Sequence, residues 1–185
     1  SYDVLLKQND VVLRTDPTYG MYPIYAEQNH VRDIICNYKR SDNTIYLDVD
    51  EFICLIRHNK PKLVCLPTPD SPTGVLLAKD SINQIIDVAR ETSSFILIDE
   101  AYYPISQDTS IDLLTDFPNL IITRTFNKAW GCAGLRIGYA IASKDIIDKF
   151  NNARPMREIG GFESEFITNL LPFKKEIMNS IEILL

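Results

Sequence analysis

Histidine is nearly absent from this chain, with only His30 and His58, and the four cysteines Cys36, Cys54, Cys65 and Cys132 form no C-x-x-C pair. Ligands this few and this far apart do not make a zinc site. The scatter instead suits four reduced, mostly buried thiols in a cytoplasmic protein. Basic residues are also short: 19 Lys and Arg against 25 Asp and Glu leave a formal net charge of -6. A nucleic-acid backbone is therefore not an expected partner, and any bound anion must be held by a local positive site. No apolar run is long enough to span a bilayer, and no basic-then-apolar leader is present, so no membrane partner is expected. Internal repeats and low-complexity tracts are missing as well. Glycine is scarce, 7 residues in all, yet Gly131, Gly134 and Gly138 crowd into T-R-T-F-N-K-A-W-G-C-A-G-L-R-I-G-Y, residues 123–139. Either the backbone bends there or something approaches it closely.

What is present is the stuff of one globular domain: 185 residues, 45% hydrophobic and 24% charged, enough for a real core. Short apolar runs alternate with helical patterns, which predicts an α/β fold with a mostly parallel sheet sandwiched by helices. Strands are expected at 11–14, 30–38, 62–66, 95–98, 120–123 and 137–142. Helices are expected at 22–29, 48–58, 81–91 and 145–152, and again from Glu163 to Leu185 after a break at 154–161. Residues 81–91 place Ile82, Ile85, Ile86 and Ala89 on one face, with Asp80 or Ser81 as the N-cap. Pro67-Thr-Pro-Asp-Ser-Pro-Thr-Gly74 fits neither helix nor central strand.

In a parallel sheet, functional groups gather where strands end at their carboxyl edge. Three stretches fall at such ends: Ser71-Pro-Thr-Gly74, Asp99-Glu-Ala-Tyr102 and the segment around Lys128. Alone, each has a plain structural reading as a turn, a helix cap or a solvated charge. Together they carry one chemistry. An aspartate holds a proton on a cationic heterocycle, and a tyrosine donates to a phenolate oxygen. A lysine forms a Schiff base with an aldehyde. An arginine with a threonine hydroxyl clamps a phosphate. Pyridoxal 5'-phosphate asks for all four.

The segment 123–139 resembles the lysine motif of fold-type I pyridoxal-phosphate aminotransferases, closest to histidinol-phosphate aminotransferases, and further motifs follow in matching order. Pro17-Thr-Tyr-Gly-Met-Tyr22 is similar to the segment whose aromatic stacks on the cofactor, which implies that role for Tyr19. Ser71-Pro-Thr-Gly74 resembles the family's Asn-Pro-Thr-Gly loop, and Ile98-Asp-Glu-Ala-Tyr102 its ring-binding strand. The resemblance implies Asp99 for the ring nitrogen, Tyr102 for the ring oxygen, Lys128 as the catalytic Schiff-base lysine, and Thr125 and Arg136 for the phosphate. It further implies transfer of an amino group from a small-molecule donor to a keto acceptor that can carry a phosphate, and a homodimer in the full-length protein.

Two positions depart from the pattern. Ser71 stands where the family has asparagine, and Asn127 stands where a phosphate-binding serine precedes the lysine. The family's phosphate-cradling helix and small domain have no counterpart, so the chain is expected to be a large cofactor domain incomplete at both ends. Residues 1–150 would be that partial domain, and 151–185 a helical segment leading towards the small domain. Alone it is expected to bind the cofactor weakly and not to turn over. The same motif set also serves decarboxylases of phosphorylated amino acids, and a non-catalytic binding or dimerisation module is a third reading.

Other conspicuous residues take structural readings. Glu100 should point away from Asp99 towards a structural partner. Asp48 and Asp50 should cap a helix, and Trp130 should pack. Arg154-Pro-Met-Arg157 stays open between an entry or dimer segment and a basic hinge.

Overall fold

The computed structural model describes residues 2–154 and 158–184. Its strands are β1 (Val11–Asp16), β2 (Arg32–Asn37), β3 (Lys39–Ser41), β4 (Thr44–Tyr46), β5 (Leu63–Pro67), β6 (Phe95–Asp99), β7 (Leu120–Thr125) and β8 (Gly138–Ala142). The helices are α1 (Tyr2–Leu5), α2 (Met21–Gln28), α3 (Val49–Asn59), α4 (Lys79–Glu91), α5 (Lys144–Ala153), α6 (Gly161–Leu170) and α7 (Lys174–Leu184). Six strands form one sheet in the order β2-β1-β5-β6-β7-β8. Every neighbouring pair is parallel except β7 and β8, which run antiparallel.

The continuous apolar runs follow from burial on both faces. Side chains alternate across a strand, so Val64, Leu66, Ile96, Ile98, Leu120 and Ile122 face Phe52 and Ile56 of α3 and the Ile82, Ile85, Ile86 and Ala89 stripe of α4. Leu63, Cys65, Leu97 and Ile121 face the other way, onto Tyr2, Leu5, Tyr22, Ala26 and Ile146. A third, smaller cluster joins Phe126 and Ile137 to Ile167 of α6, with Trp130 packed against it.

Several expectations are corrected. The α4 helix starts at Lys79, and extended Ala78 takes the N-cap with no side-chain bond, so Asp80 and Ser81 already lie within its first turn. The expected long helix from Glu163 is broken: Leu171–Phe173 form a 3-10 turn at Pro172, whose ring cannot continue the α pattern, between α6 and α7. Strand 30–38 shortens to β2, and the adjoining residues turn into the separate β3-β4 hairpin. The thiols are not mostly buried: Cys36 and Cys65 are, Cys132 is half-buried and Cys54 is exposed. Asp48 does cap α3, accepting from the Glu51 amide at 3.0 Å, while Asp50 sits in the first turn. Of the Arg154–Arg157 segment, Pro155, Met156 and Arg157 lie outside the described residues; Arg154 ion-pairs with Glu158.

Candidate active site

The carboxyl ends of β5, β6 and β7 lie side by side, with Pro67 opposite Asp99 and Asp99 opposite Thr123. Beyond them opens a cavity of about 430 Å³, a size suited to a small ligand. Its lining includes Tyr19, Ser71, Asp99, Tyr102, Thr125, Asn127, Lys128 and Arg136, so all eight residues singled out in the sequence meet in one place.

Asp99 is held from two sides. The Tyr22 hydroxyl donates to Oδ2 at 2.9 Å and the Thr123 hydroxyl to Oδ1 at 3.1 Å. Burial pushes its carboxyl above the usual carboxylate range, against the opposing pull of these hydrogen bonds. Tyr22, itself buried, is shifted upward first by burial and then by the nearby Asp99 charge. Neither Tyr22 nor Thr123 was singled out from the sequence, because their partner lies 77 and 24 positions away.

Glu100 turns to the opposite side, as expected of adjacent strand residues. It is 1% exposed and binds Arg124, with Oε2 2.9 Å from Nε and 2.8 Å from Nη2. Thr109 and the Ser110 amide complete its shell at 3.0 and 2.7 Å, and Arg124 stacks 3.6 Å over the Tyr103 ring. This pair flanks the site, with Glu100 directly after the end of β6 and Arg124, part of the cavity lining, between Thr123 and Thr125 in β7.

The loop carrying Ser71 is tied down by Asp70, another residue the sequence did not flag. Asp70 accepts from Thr18 at 2.9 Å and from Thr15 at 3.4 Å, while Gly74, at φ +71°, donates its amide to the Asp70 carbonyl at 2.8 Å. Burial raises the Asp70 carboxyl too. Exposed Tyr19 lies near the start of α2, its ring edge-on to Tyr22 with centroids 6.3 Å apart. The Lys128 ammonium sits 5.4 Å from the centre of the Tyr102 ring.

The glycine-rich stretch divides by cause. Gly131 has φ +69°, a turn that glycine takes without strain. At Gly138 a side chain would meet the Arg124 carbonyl at 2.7 Å, so β8 needs glycine to pair closely with β7. Gly134 has open space and no such demand. Arg136 adopts the left-handed conformation, φ 55° and ψ 34°, at the end of the 3-10 turn Ala133–Leu135. A non-glycine residue held there stores strain of the kind found at functional positions. Thr125 donates to the Ile137 carbonyl and accepts from the Asn127 amide, both at 3.1 Å. The buried Oδ1 of Asn127 has no hydrogen-bond partner among the described residues.

A mostly parallel sheet with an acid, an amine, phenols and a guanidinium around one cavity at its carboxyl edge places this chain among the α/β proteins that take ligands at that edge. The sequence profile described as Aminotransferase class I and II matches residues 3–156, and the chain belongs to that family. It is 34% identical to a histidinol-phosphate aminotransferase of Ruminiclostridium cellulolyticum over 182 residues, 98% of this chain and 50% of that one. A second, from Thermoanaerobacter pseudethanolicus, is 36% identical over 79% of this chain and 40% of its own length. The chain thus spans about half the length of the curated relatives it matches, or less. The fold superposes with TM-score 0.85 on the crystal structure of the histidinol-phosphate aminotransferase from Clostridium acetobutylicum, at 24% identity, covering 97% of this chain and 53% of that one. It does so equally, at 22% identity, on that from Sinorhizobium meliloti in complex with pyridoxal-5'-phosphate, over 97% and 48% of the two chains. Among the described residues, no helix is long and apolar enough to cross a membrane.

Proposed function

We propose that this chain carries the cofactor-binding residues of a pyridoxal-phosphate aminotransferase acting on an amino acid and a keto substrate that can carry a phosphate, as in histidinol-phosphate aminotransferases. The observation that carries the reading is the convergence of Asp99, Tyr102, Lys128, Arg136 and Tyr19 on one cavity of about 430 Å³. The donor set suits the group. Asp99 is a half-buried carboxylate held by neutral hydroxyls, and a cation brought against it offsets the desolvation that raises its pKa.

When bound, pyridoxal phosphate supplies an aldehyde for an amine and a protonated ring that draws electrons from the bonds at the substrate Cα. Asp99 would keep the proton on the ring nitrogen. Tyr102 would donate to the ring oxygen, and the exposed Tyr19 ring would cover one face of the heterocycle. Lys128 would hold the aldehyde at rest and, once displaced, move a proton to and from the substrate Cα as general base and acid. The Arg136 guanidinium would take the phosphate, which its fork of donors matches. Thr125 can join only if its hydroxyl leaves the Ile137 carbonyl, since its single proton is engaged there. Asn127 would have to present its amide nitrogen, because phosphate oxygens accept and cannot satisfy Oδ1. The division at residue 150 and the homodimer belong to the same proposal and rest on the resemblance, while the cytoplasmic setting rests on the four unpaired cysteines.

Borohydride trapping tests the reading. After addition of pyridoxal phosphate and reduction, peptide mass analysis should find the adduct at Lys128 and lose it in Lys128→Ala. Labelling spread over surface lysines, or unchanged in that variant, would overturn it.

A further inference from the structure

Among the described residues no lysine, arginine or histidine forms an ion pair with Asp99; the charged pairs lie elsewhere. What holds it is the pair of neutral hydroxyls, one on each carboxylate oxygen: Tyr22 at 2.9 Å and Thr123 at 3.1 Å. Tyr22 is placed firmly enough to orient another group. It is 5% exposed, packs with Tyr2, Ala26 and Cys65 beneath the sheet edge, and meets the Tyr19 ring edge-on. Thr123 sits opposite Asp99 in the strand register, so its hydroxyl arrives by backbone pairing.

The chemistry of the clamp matters. An ammonium or guanidinium in the same place would fix the carboxylate but also neutralise it. Neutral donors fix its orientation and leave its charge available to whatever cation arrives. We propose that Tyr22 is a positioning residue for Asp99, clamping the carboxylate together with Thr123 so that it meets an incoming cationic ring with its orientation set and its full charge unspent. The inference rests on the reading of Asp99 as the partner of the cofactor ring nitrogen. It assigns Tyr22 no contact with the cofactor, and it makes the 17–22 segment a source of both the covering ring, Tyr19, and the clamp, Tyr22.

The test is a carboxyl titration by ¹³C NMR on the chain labelled at aspartate, without cofactor, with the Asp99 resonance assigned through Asp99→Asn. In Tyr22→Phe the Asp99 midpoint should move upward by about one pH unit, a tenfold gain in proton affinity, because a hydrogen bond favouring the anion is lost. Thr123→Ser, which keeps the hydroxyl, should leave the midpoint in place, whereas Thr123→Val should raise it. A folded Tyr22→Phe chain in which Asp99 titrates as in wild type overturns the proposal. Should Tyr22→Phe not fold, wild type decides. The Tyr22 Cζ resonance must then shift at the same midpoint as Asp99, and independent behaviour overturns the clamp. Failure of the cofactor reading looks different, since Lys128 would escape borohydride labelling while the Tyr22–Asp99 coupling persisted.

Discussion

Replacing Glu100 with glutamine removes one charge from a shell that is otherwise complete. Glu100 is 1% exposed and Arg124 9%. The carboxylate accepts from Arg124 Nε at 2.9 Å, Thr109 Oγ1 at 3.0 Å and the Ser110 amide at 2.7 Å, and pairs with Arg124 Nη2 at 2.8 Å. A glutamine cannot accept at both ends, so its NH₂ must face either the guanidinium or the Ser110 amide, donor against donor. The Arg124 charge is meanwhile left buried without its counter-ion. Breaking one side of a buried pair costs about 3 kcal/mol or more, which in a domain of this size lowers Tm by roughly 6 to 12 °C. Urea unfolding followed by circular dichroism should show the midpoint falling with the slope unchanged. The double variant Glu100→Gln/Arg124→Gln should lose less than the two single losses added together, since it leaves no unpaired charge. A single-variant loss below about 1 kcal/mol, or strict additivity in the double variant, would refute the reasoning. The site should feel the change as well, because the pair anchors the strand ends that bear Asp99, Thr123 and Thr125.

Two further outcomes follow from the site. Asp99 titrates above its unfolded value because of burial, so its charged form destabilises the fold once the pH exceeds both values, and the stability present below the unfolded pKa is lost as pH rises through the folded one. Asp99→Asn should therefore gain on wild type at pH 7, and the gain should shrink as the pH is lowered towards about 4; a difference constant across that range in urea unfolding would contradict the assignment. Gly138→Ala drives a methyl to within 2.7 Å of the Arg124 carbonyl and should cost about 2 kcal/mol, whereas Gly134→Ala, in open space, should stay within about 0.5 kcal/mol; equal effects would show that the β7-β8 contact relaxes freely.

How far each element could be read from sequence follows from how local its cause is. The α4 stripe is legible because its four apolar residues are three or four apart and need only one sheet face to bury against. The β3-β4 hairpin is not, since Lys39–Ser41 and Thr44–Tyr46 are exposed on both faces and carry no alternation. The start of α4 eludes sequence reading because an extended Ala78 did the work that a capping side chain usually does. In the glycine-rich stretch, composition signals a demand on the backbone but not which one. Only the approach of the Arg124 carbonyl separates Gly138, which needs its missing side chain, from Gly134, which does not.

The residue types of the site, their order and their place at strand ends are written in the chain, because strand ends and turns are local events set by apolar runs, proline and glycine. Which side chains hold Asp99, and that Glu100 answers to Arg124 on the far side, depends on strand register and on residues brought from 24 to 77 positions away. Such contacts are selected by the packing of the whole sheet, and so the acid was visible in sequence while its clamp appeared only in three dimensions.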